Sequence, residues 1–162
     1  MFIFQRQHRQ CRQQCLRKPA NRERGLSVVF IVFIVFNIIP LSLHSQTIRN
    51  SNNASIATIE SDGTVRNSSN ATIGCIESDG TVRDGSNRSI GKIESDGTVR
   101  DGSNRSIGKI ESDGTVRDQS NRTLGKVESD GTVRDSSNRT LGTARGVPQR
   151  HAALYFFFDF FK

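Results

Sequence analysis

The sequence predicts an all-β repeat protein made of short β-hairpins, and two observations carry this prediction. The tripeptide Thr-Val-Arg begins at positions 64, 81, 98, 115 and 132, always 17 residues apart, and Thr47-Ile48-Arg49 lies one period earlier. Each 17-residue unit contains two turn signals, Ser-Asp-Gly and x-Ser-Asn, between short segments that favour strands. Regularly spaced turn signals are typical of successive short strands, and no unit has the helical period of about 3.6 residues.

Ahead of the repeats, residues 1–45 predict a signal peptide or a signal anchor with an unusually long basic segment. The apolar run Leu26–Leu43 follows 25 residues that contain most of the leader's charge, and the small residue Ser45 precedes the polar sequence. Asn37 and Pro40 favour cleavage after Ser45, but the run approaches the ~20 residues that span a bilayer. We therefore expect export to the periplasm, the cell envelope or the exterior, with an inner-membrane anchor as the alternative.

The excess positive charge of the chain belongs to this leader. The full chain has a formal net charge of +7, whereas residues 46–162 contain 16 Lys or Arg against 15 Asp or Glu, a net charge of +1. A nucleic-acid binder needs a basic patch or stripe, and the repeats place acidic residues beside every basic one. We therefore expect no nucleic-acid partner.

The register of the Ser-Asp-Gly hairpin follows from where the apolar residues must lie. A two-residue Asp-Gly turn would place Ile93 opposite Arg100, which mixes a core residue with a solvent-facing one. A three-residue loop with a left-handed glycine instead places Ile93 opposite Val99 and Glu94 opposite Thr98. The second register is predicted because it puts both apolar side chains on one face.

Around the x-Ser-Asn turn, we expect Val99 to face Ile107. Ile107 and Ile110 are three residues apart, so strict alternation cannot turn both inward. A bend or bulge at Gly108 would allow it. Gly108 and its equivalents are therefore expected to adopt backbone conformations that a Cβ atom disfavours.

The repeats occupy residues 46–145, and residues 146–162 form a Phe-rich tail. Five of the ten phenylalanines lie within Phe156–Phe161. The repeats contain few large apolar side chains, so we interpret the tail as a plug that covers their apolar face. A membrane-surface or partner-binding segment is the alternative.

The repeat ESDGTVR…SSNRT[IL]G, the Gln-Thr start at 46–47 and the Phe-rich end together resemble the five-fold β-flower proteins, a family of small exported bacterial proteins. The resemblance covers Gln46–Lys162. It implies a five-fold radial array of hairpin petals around an axis, in agreement with the five Ser-Asp-Gly turns. The family has no assigned activity, so the resemblance implies no site residues.

The acidic residues of the repeats admit two interpretations. One aspartate per Ser-Asp-Gly turn could bind Ca²⁺ only if neighbouring turns converged, because Ca²⁺ takes about six to eight oxygens. We interpret these aspartates as turn residues and the repeated glutamates as part of a salt-bridge lattice with Lys and Arg. The aspartates are Asp62, Asp79, Asp96, Asp113 and Asp130, and the glutamates are Glu60, Glu77, Glu94, Glu111 and Glu128.

Few residues remain that could carry catalysis or metal chemistry. Outside the leader, His151 is the one candidate base and Cys75 the one cysteine. Cys75 replaces the outward lysine of other units, so we expect an exposed and reactive thiol. Cys11 and Cys15 alone supply too few ligands for zinc. An Asn-x-Ser/Thr sequence recurs every 17 residues, and we interpret its asparagines as turn positions: Asn53, Asn70, Asn87, Asn104, Asn121 and Asn138.

These observations favour an exported structural or interaction module that binds an unknown protein or envelope partner through its polar rim. The alternative is a membrane-associated protein, held by an uncleaved leader or by the Phe-rich tail. We expect no enzyme activity, because near-identical repeats give no carboxylate a distinct environment. The sequence predicts no catalytic residue, cofactor or metal, and it leaves the oligomeric state open.

Overall fold

The computed structural model describes residues 46–161. In this part of the chain, turns alternate with strands of four or five residues, and the strands close into one antiparallel ring. One helix follows the last strand, and the predicted leader, residues 1–45, lies outside the described residues. The elements are β1 Gln46–Asn50, β2 Ser55–Ile59, β3 Thr64–Asn67, β4 Thr72–Ile76, β5 Thr81–Asp84, β6 Ser89–Ile93, β7 Thr98–Asp101, β8 Ser106–Ile110, β9 Thr115–Asp118, β10 Thr123–Val127, β11 Thr132–Asp135, β12 Thr140–Thr143 and α1 Gln149–Phe157.

The predicted all-β fold is confirmed, with each strand paired to its neighbours in sequence. Five Ser-Asp-Gly turns join consecutive strands as predicted. A further antiparallel pair, β1 with β12, closes the ring and places Arg49 opposite Thr143. We call this junction the seam. The helix α1 is an addition that the repeat pattern did not predict.

The predicted three-residue Ser-Asp-Gly loop is confirmed. Ile93 is opposite Val99, and the N–H of Glu94 donates to the carbonyl of Thr98 at 2.8 Å. Gly97 has φ +87°, in the left-handed region that side chains rarely adopt. The residues of the Ser-Asp-Gly turn therefore determine the register of the two strands that this turn joins.

The register around the x-Ser-Asn turn differs from our prediction by one residue. Val99 is opposite Gly108, not Ile107, while Arg100 is opposite Ser106. Ile107 is therefore the bulged residue, and it is half-buried against the core, whereas Ile110 is fully buried. The predicted bulge exists, but it lies at Ile107 and not at Gly108, and Gly108 therefore faces the interior of the ring.

The inner face of the ring carries one aliphatic side chain from each Thr-Val-Arg strand and one from each strand before a Ser-Asp-Gly turn. Removing these side chains from water supplies a driving force for closing the ring. They are 0–6 % exposed and comprise Ile48, Ile59, Val65, Ile76, Val82, Ile93, Val99, Ile110, Val116, Val127 and Val133.

Between these residues, inward-facing glycines leave room for the phenylalanine rings of the tail. A methyl group added to Gly108 would lie 2.7 Å from the ring of Phe158 and would also meet the carbonyl oxygen of Arg117. Gly108 and its equivalents do not have left-handed φ values, so our expectation of a disfavoured conformation is wrong, and lack of space is the reason for glycine. The pairs are Gly74 with Phe161, Gly91 with Phe160, Gly108 with Phe158, Gly125 with Phe157 and Gly142 with Phe156.

Successive tail phenylalanines thus contact the units in reverse sequence order, from Gly142 back to Gly74, with one phenylalanine for each inward glycine. Asp159 interrupts the series with φ +53°. Tyr155 stacks on Phe161 with ring centroids 6.4 Å apart. At the equivalent position of β2 the chain has Ala57, whose methyl group is itself fully buried.

Cys75 is buried, which contradicts the predicted exposed thiol. It lies between the inward residues Gly74 and Ile76, so its predicted outward direction follows from strand alternation. Its cross-strand neighbours are Thr64 and Arg83. Lysine at the equivalent position of other units extends past such neighbours, whereas the short cysteine side chain does not.

We therefore expect Cys75 to react slowly with iodoacetamide in the folded protein and rapidly in denaturant. A matched probe is Ser78→Cys, because Ser78 is exposed in the adjacent turn. Peptide mass spectrometry should find Cys75 modified at least about tenfold more slowly, since reaction requires local opening of the sheet. Equal rates at both positions would contradict the burial of Cys75.

Candidate functional site

The ring has two rims with different chemistry. One rim consists of the five Ser-Asp-Gly turns and is called the SDG rim; the other consists of the x-Ser-Asn turns and is called the tip rim. The helix α1 begins at the SDG rim, where the Nε2 of Gln149 donates to the carbonyl of Val127 at 2.9 Å. The Nη2 of Arg150 donates to the carbonyl of Ser95 at 3.0 Å.

The aspartates of the SDG rim hold their own turns. In the third turn, one carboxylate oxygen of Asp96 accepts the backbone N–H of Thr98 at 2.9 Å, and the other accepts its hydroxyl at 2.9 Å. The backbone hydrogen bond is the main cause that lowers the pKa of Asp96, and the same cause acts at Asp79, Asp113 and Asp130. Within residues 46–161, no three His, Cys, Asp or Glu side chains come together as possible metal ligands.

The tip rim repeats another local motif. In the hairpin of β7 and β8, Asp101 accepts the backbone N–H groups of Ser103 and Arg105 at 2.9 and 3.0 Å and forms a salt bridge with Arg105. Asn104 adopts φ +63°, a left-handed conformation that asparagine tolerates. All six asparagines at this repeat position have this conformation, with φ from +61° to +66°.

The outer face carries the predicted salt-bridge lattice. Arg100 donates through Nε to Glu94 at 2.7 Å and through Nη1 to the carbonyl of Asn104 at 3.1 Å. Single pairs that are partly exposed contribute little to stability, typically about 0–1 kcal/mol. Equivalent bridges are Arg66 with Glu60, Arg83 with Glu77 and Arg117 with Glu111.

A cleft of about 590 Å³ opens on the SDG rim beside the start of α1. Three consecutive turns form its walls, and Ile76 and Ile93 lie at its base. Burial lowers the pKa of His151 below its usual value of 6.5, so the imidazole is neutral at pH 7. The other lining residues are Ser61, Asp62, Gly63, Glu77, Ser78, Asp79, Gly80, Glu94, Ser95 and Arg150.

Sequence reasoning did not identify this cleft. Ser61, Ser78 and Ser95 look identical to Ser112 in the repeat, and only the position of α1 distinguishes their turns from the others. The available signal was Pro148, which precedes α1, because proline is common where helices begin. The candidate base His151 lies in the cleft, near carboxylates and serines that belong to three different units.

A closed ring of hairpin repeats, with most polar side chains engaged in turns and in a surface lattice, defines an all-β repeat protein. The comparison with known families agrees: residues 45–161 match the family described as 5-fold beta-flower protein. The chain belongs to this five-fold β-flower family. No curated protein and no solved structure matches the chain.

Proposed function

We propose that this protein is an exported structural or interaction module that binds an envelope partner through the cleft of the SDG rim. The observation that carries the proposal is the cleft itself, where α1 makes three of the five near-identical turns different from the rest. A concave surface with an apolar base and converging polar groups is the usual form of a binding site.

The charge of the cleft indicates the chemistry of the partner. In other units a lysine 13 residues after the turn aspartate interacts with it, as Lys92 does with Asp79. Cys75 stands where that lysine would accompany Asp62. Glu77 and Glu94 of the cleft are paired with Arg83 and Arg100, so Asp62 is the cleft carboxylate that lacks the lysine of other units. We propose a partner segment that presents a basic side chain to it.

The proposal is tested by comparing Ser78→Arg with Ser112→Arg. Both serines are exposed and occupy the same repeat position, but only Ser78 lines the cleft. After crosslinking in cells and purification, the unmodified chain and Ser112→Arg should retain the same envelope partner, and Ser78→Arg should lose it. Equal capture by both variants would place partner binding outside the cleft.

Membrane association through a retained leader is the second candidate. Its other proposed anchor, the Phe-rich tail, is less favoured because Phe161 is buried and the other rings contact the glycines of the ring. In residues 46–161 there is no helix long and apolar enough to cross a membrane. Mass spectrometry of the cellular product separates the candidates: a mature N-terminus at Gln46 supports the exported module, and a retained leader supports the anchored protein.

A further inference from the structure

The seam breaks the charge pattern of the outer lattice. Thr143 and Arg145 lie one period after Lys126 and Glu128, so the seam has threonine in place of lysine and arginine in place of glutamate. Closure of the ring places Arg49 opposite Thr143. Where four other units form an Arg–Glu salt bridge at 2.6–2.9 Å, the seam presents two arginines.

These residues line a groove of about 470 Å³ on the outer surface. Both Arg49 and Arg145 are exposed, and Thr47 and Thr143 lie beside them. The Nη1 of Arg49 donates to the backbone carbonyl of Asn53 at 3.0 Å, which holds its guanidinium in place. Among the described residues that line the groove, none is acidic.

The groove has an excess of hydrogen-bond donors and positive charge. Each guanidinium carries five N–H donors and no acceptor, and the two threonine hydroxyls can also donate. Arg145 interacts electrostatically with the carboxylate of Asp130. The pKa of Asp130 is lowered chiefly by the hydrogen bond from the backbone N–H of Thr132, and Arg145 lowers it to a smaller degree. Two arginines facing one groove repel each other, and a bound anion would relieve that repulsion.

We propose that the seam groove binds a tetrahedral oxyanion of the phosphate or sulfate class. Arginine binds such groups through paired N–H donors, and two guanidiniums offer more donors than the two oxygens of a carboxylate can accept. The site uses residues of the first and last strands, and it shares no residue with the cleft of the SDG rim. It is therefore independent of the proposed function.

The phosphate could be free in solution or part of a lipid headgroup. The lipid source is relevant because β1 follows the leader directly. If the leader is retained in a membrane, the groove lies within a few residues of the segment that holds the protein there. Both sources offer the same ligand chemistry, so the experiment has one arm for each.

The test uses protein purified from cells that express the whole gene. Inorganic phosphate should raise the melting temperature more than sodium chloride does at equal ionic strength, because a ligand that binds only the folded state stabilises it. Arg145→Glu should weaken the apparent affinity for phosphate by about tenfold or more. Lys109→Glu, an equal charge change at an exposed position of another unit, should leave the phosphate response intact.

Arg145→Glu should also raise the melting temperature without phosphate, because it restores the Arg–Glu pair of the other units, and this result shows that the variant is folded. In the lipid arm, vesicles containing phosphatidylglycerol should bind the protein more than phosphatidylcholine vesicles do if the source is a headgroup phosphate whose charge no choline neutralises. Dependence of either arm on Arg145 supports the site. Equal responses to phosphate and chloride together with no vesicle binding, or responses that Arg145→Glu leaves unchanged, would overturn it.

Discussion

A chain that ends at Val147 should fail to form the ring, and we expect residues 46–147 to be unfolded or aggregated. The tail places Ala152, Ala153 and Leu154 at 0 % exposure in the core, and its five phenylalanines lie against the glycines of five units. Burying one large apolar side chain contributes about 1.5–3 kcal/mol. Losing several of them exceeds the ~5–15 kcal/mol of a typical folded domain.

Circular dichroism and thermal melts on residues 46–147 and 46–162 measure this effect. The longer chain should show a β spectrum and a cooperative transition, while the shorter should show neither, because its inner face and strand edges are exposed to association. Arg150→Ala in the longer chain is the control and should keep the cooperative transition, because it removes only exposed hydrogen bonds to the carbonyls of Glu94 and Ser95 and no buried apolar side chain. A cooperative transition of similar midpoint in the truncated chain would rule out the tail as the plug of the core.

Gly108→Val should cost about 3 kcal/mol of unfolding free energy, because an added side chain collides with Phe158 and with the strand β9. Lys109→Val, at the next position, points outward and should change stability by no more than about 0.5 kcal/mol. Urea denaturation of both variants provides the comparison. Equal midpoints would reject the inward placement of Gly108.

A double-mutant cycle separates the aromatic contact from general strain. Gly108→Ala should cost less in a Phe158→Ala background than in the natural sequence, because the smaller side chain vacates the space that the new methyl group needs. The natural sequence already shows this relationship. Five strands have an inward glycine, and each glycine contacts one of the five tail phenylalanines, whereas β2, for which the tail has no sixth phenylalanine, has buried Ala57 at the same position. Additive costs would mean that the Phe158 contact does not select glycine.

Local chemistry explains why much of the repeat could be predicted. The Ser-Asp-Gly loop depends on residues within one turn, and its register, with Ile93 opposite Val99, is as predicted. The lattice is also local, since four of the Thr-Val-Arg arginines bind a glutamate six residues earlier. Such interactions are visible in a 17-residue period because both partners lie inside one unit.

The wrong predictions about the register and about the burial of Cys75 have different physical causes. Val99 pairs with Gly108 because the bulge falls at Ile107, and the repeat does not show which of these two neighbouring residues is the extra one. Cys75 is buried because of the side chains on either side of it, which strand alternation alone cannot reveal. For Cys75, strand alternation predicted the outward direction of the side chain but not the neighbouring side chains that cover it.

The sequence by itself determined the all-β class, the five Ser-Asp-Gly turns and the outer lattice, because short-range hydrogen bonds and alternation specify them. Only the tertiary structure decided which units meet the tail, where the cleft opens and how the ring closes. Arg49 and Arg145 are 96 positions apart, yet they line one groove because β1 pairs with β12. The repeat units have nearly the same sequence, so the units themselves cannot specify these differences. The differences arise where the two ends of the chain and the helix α1 break the symmetry of the ring.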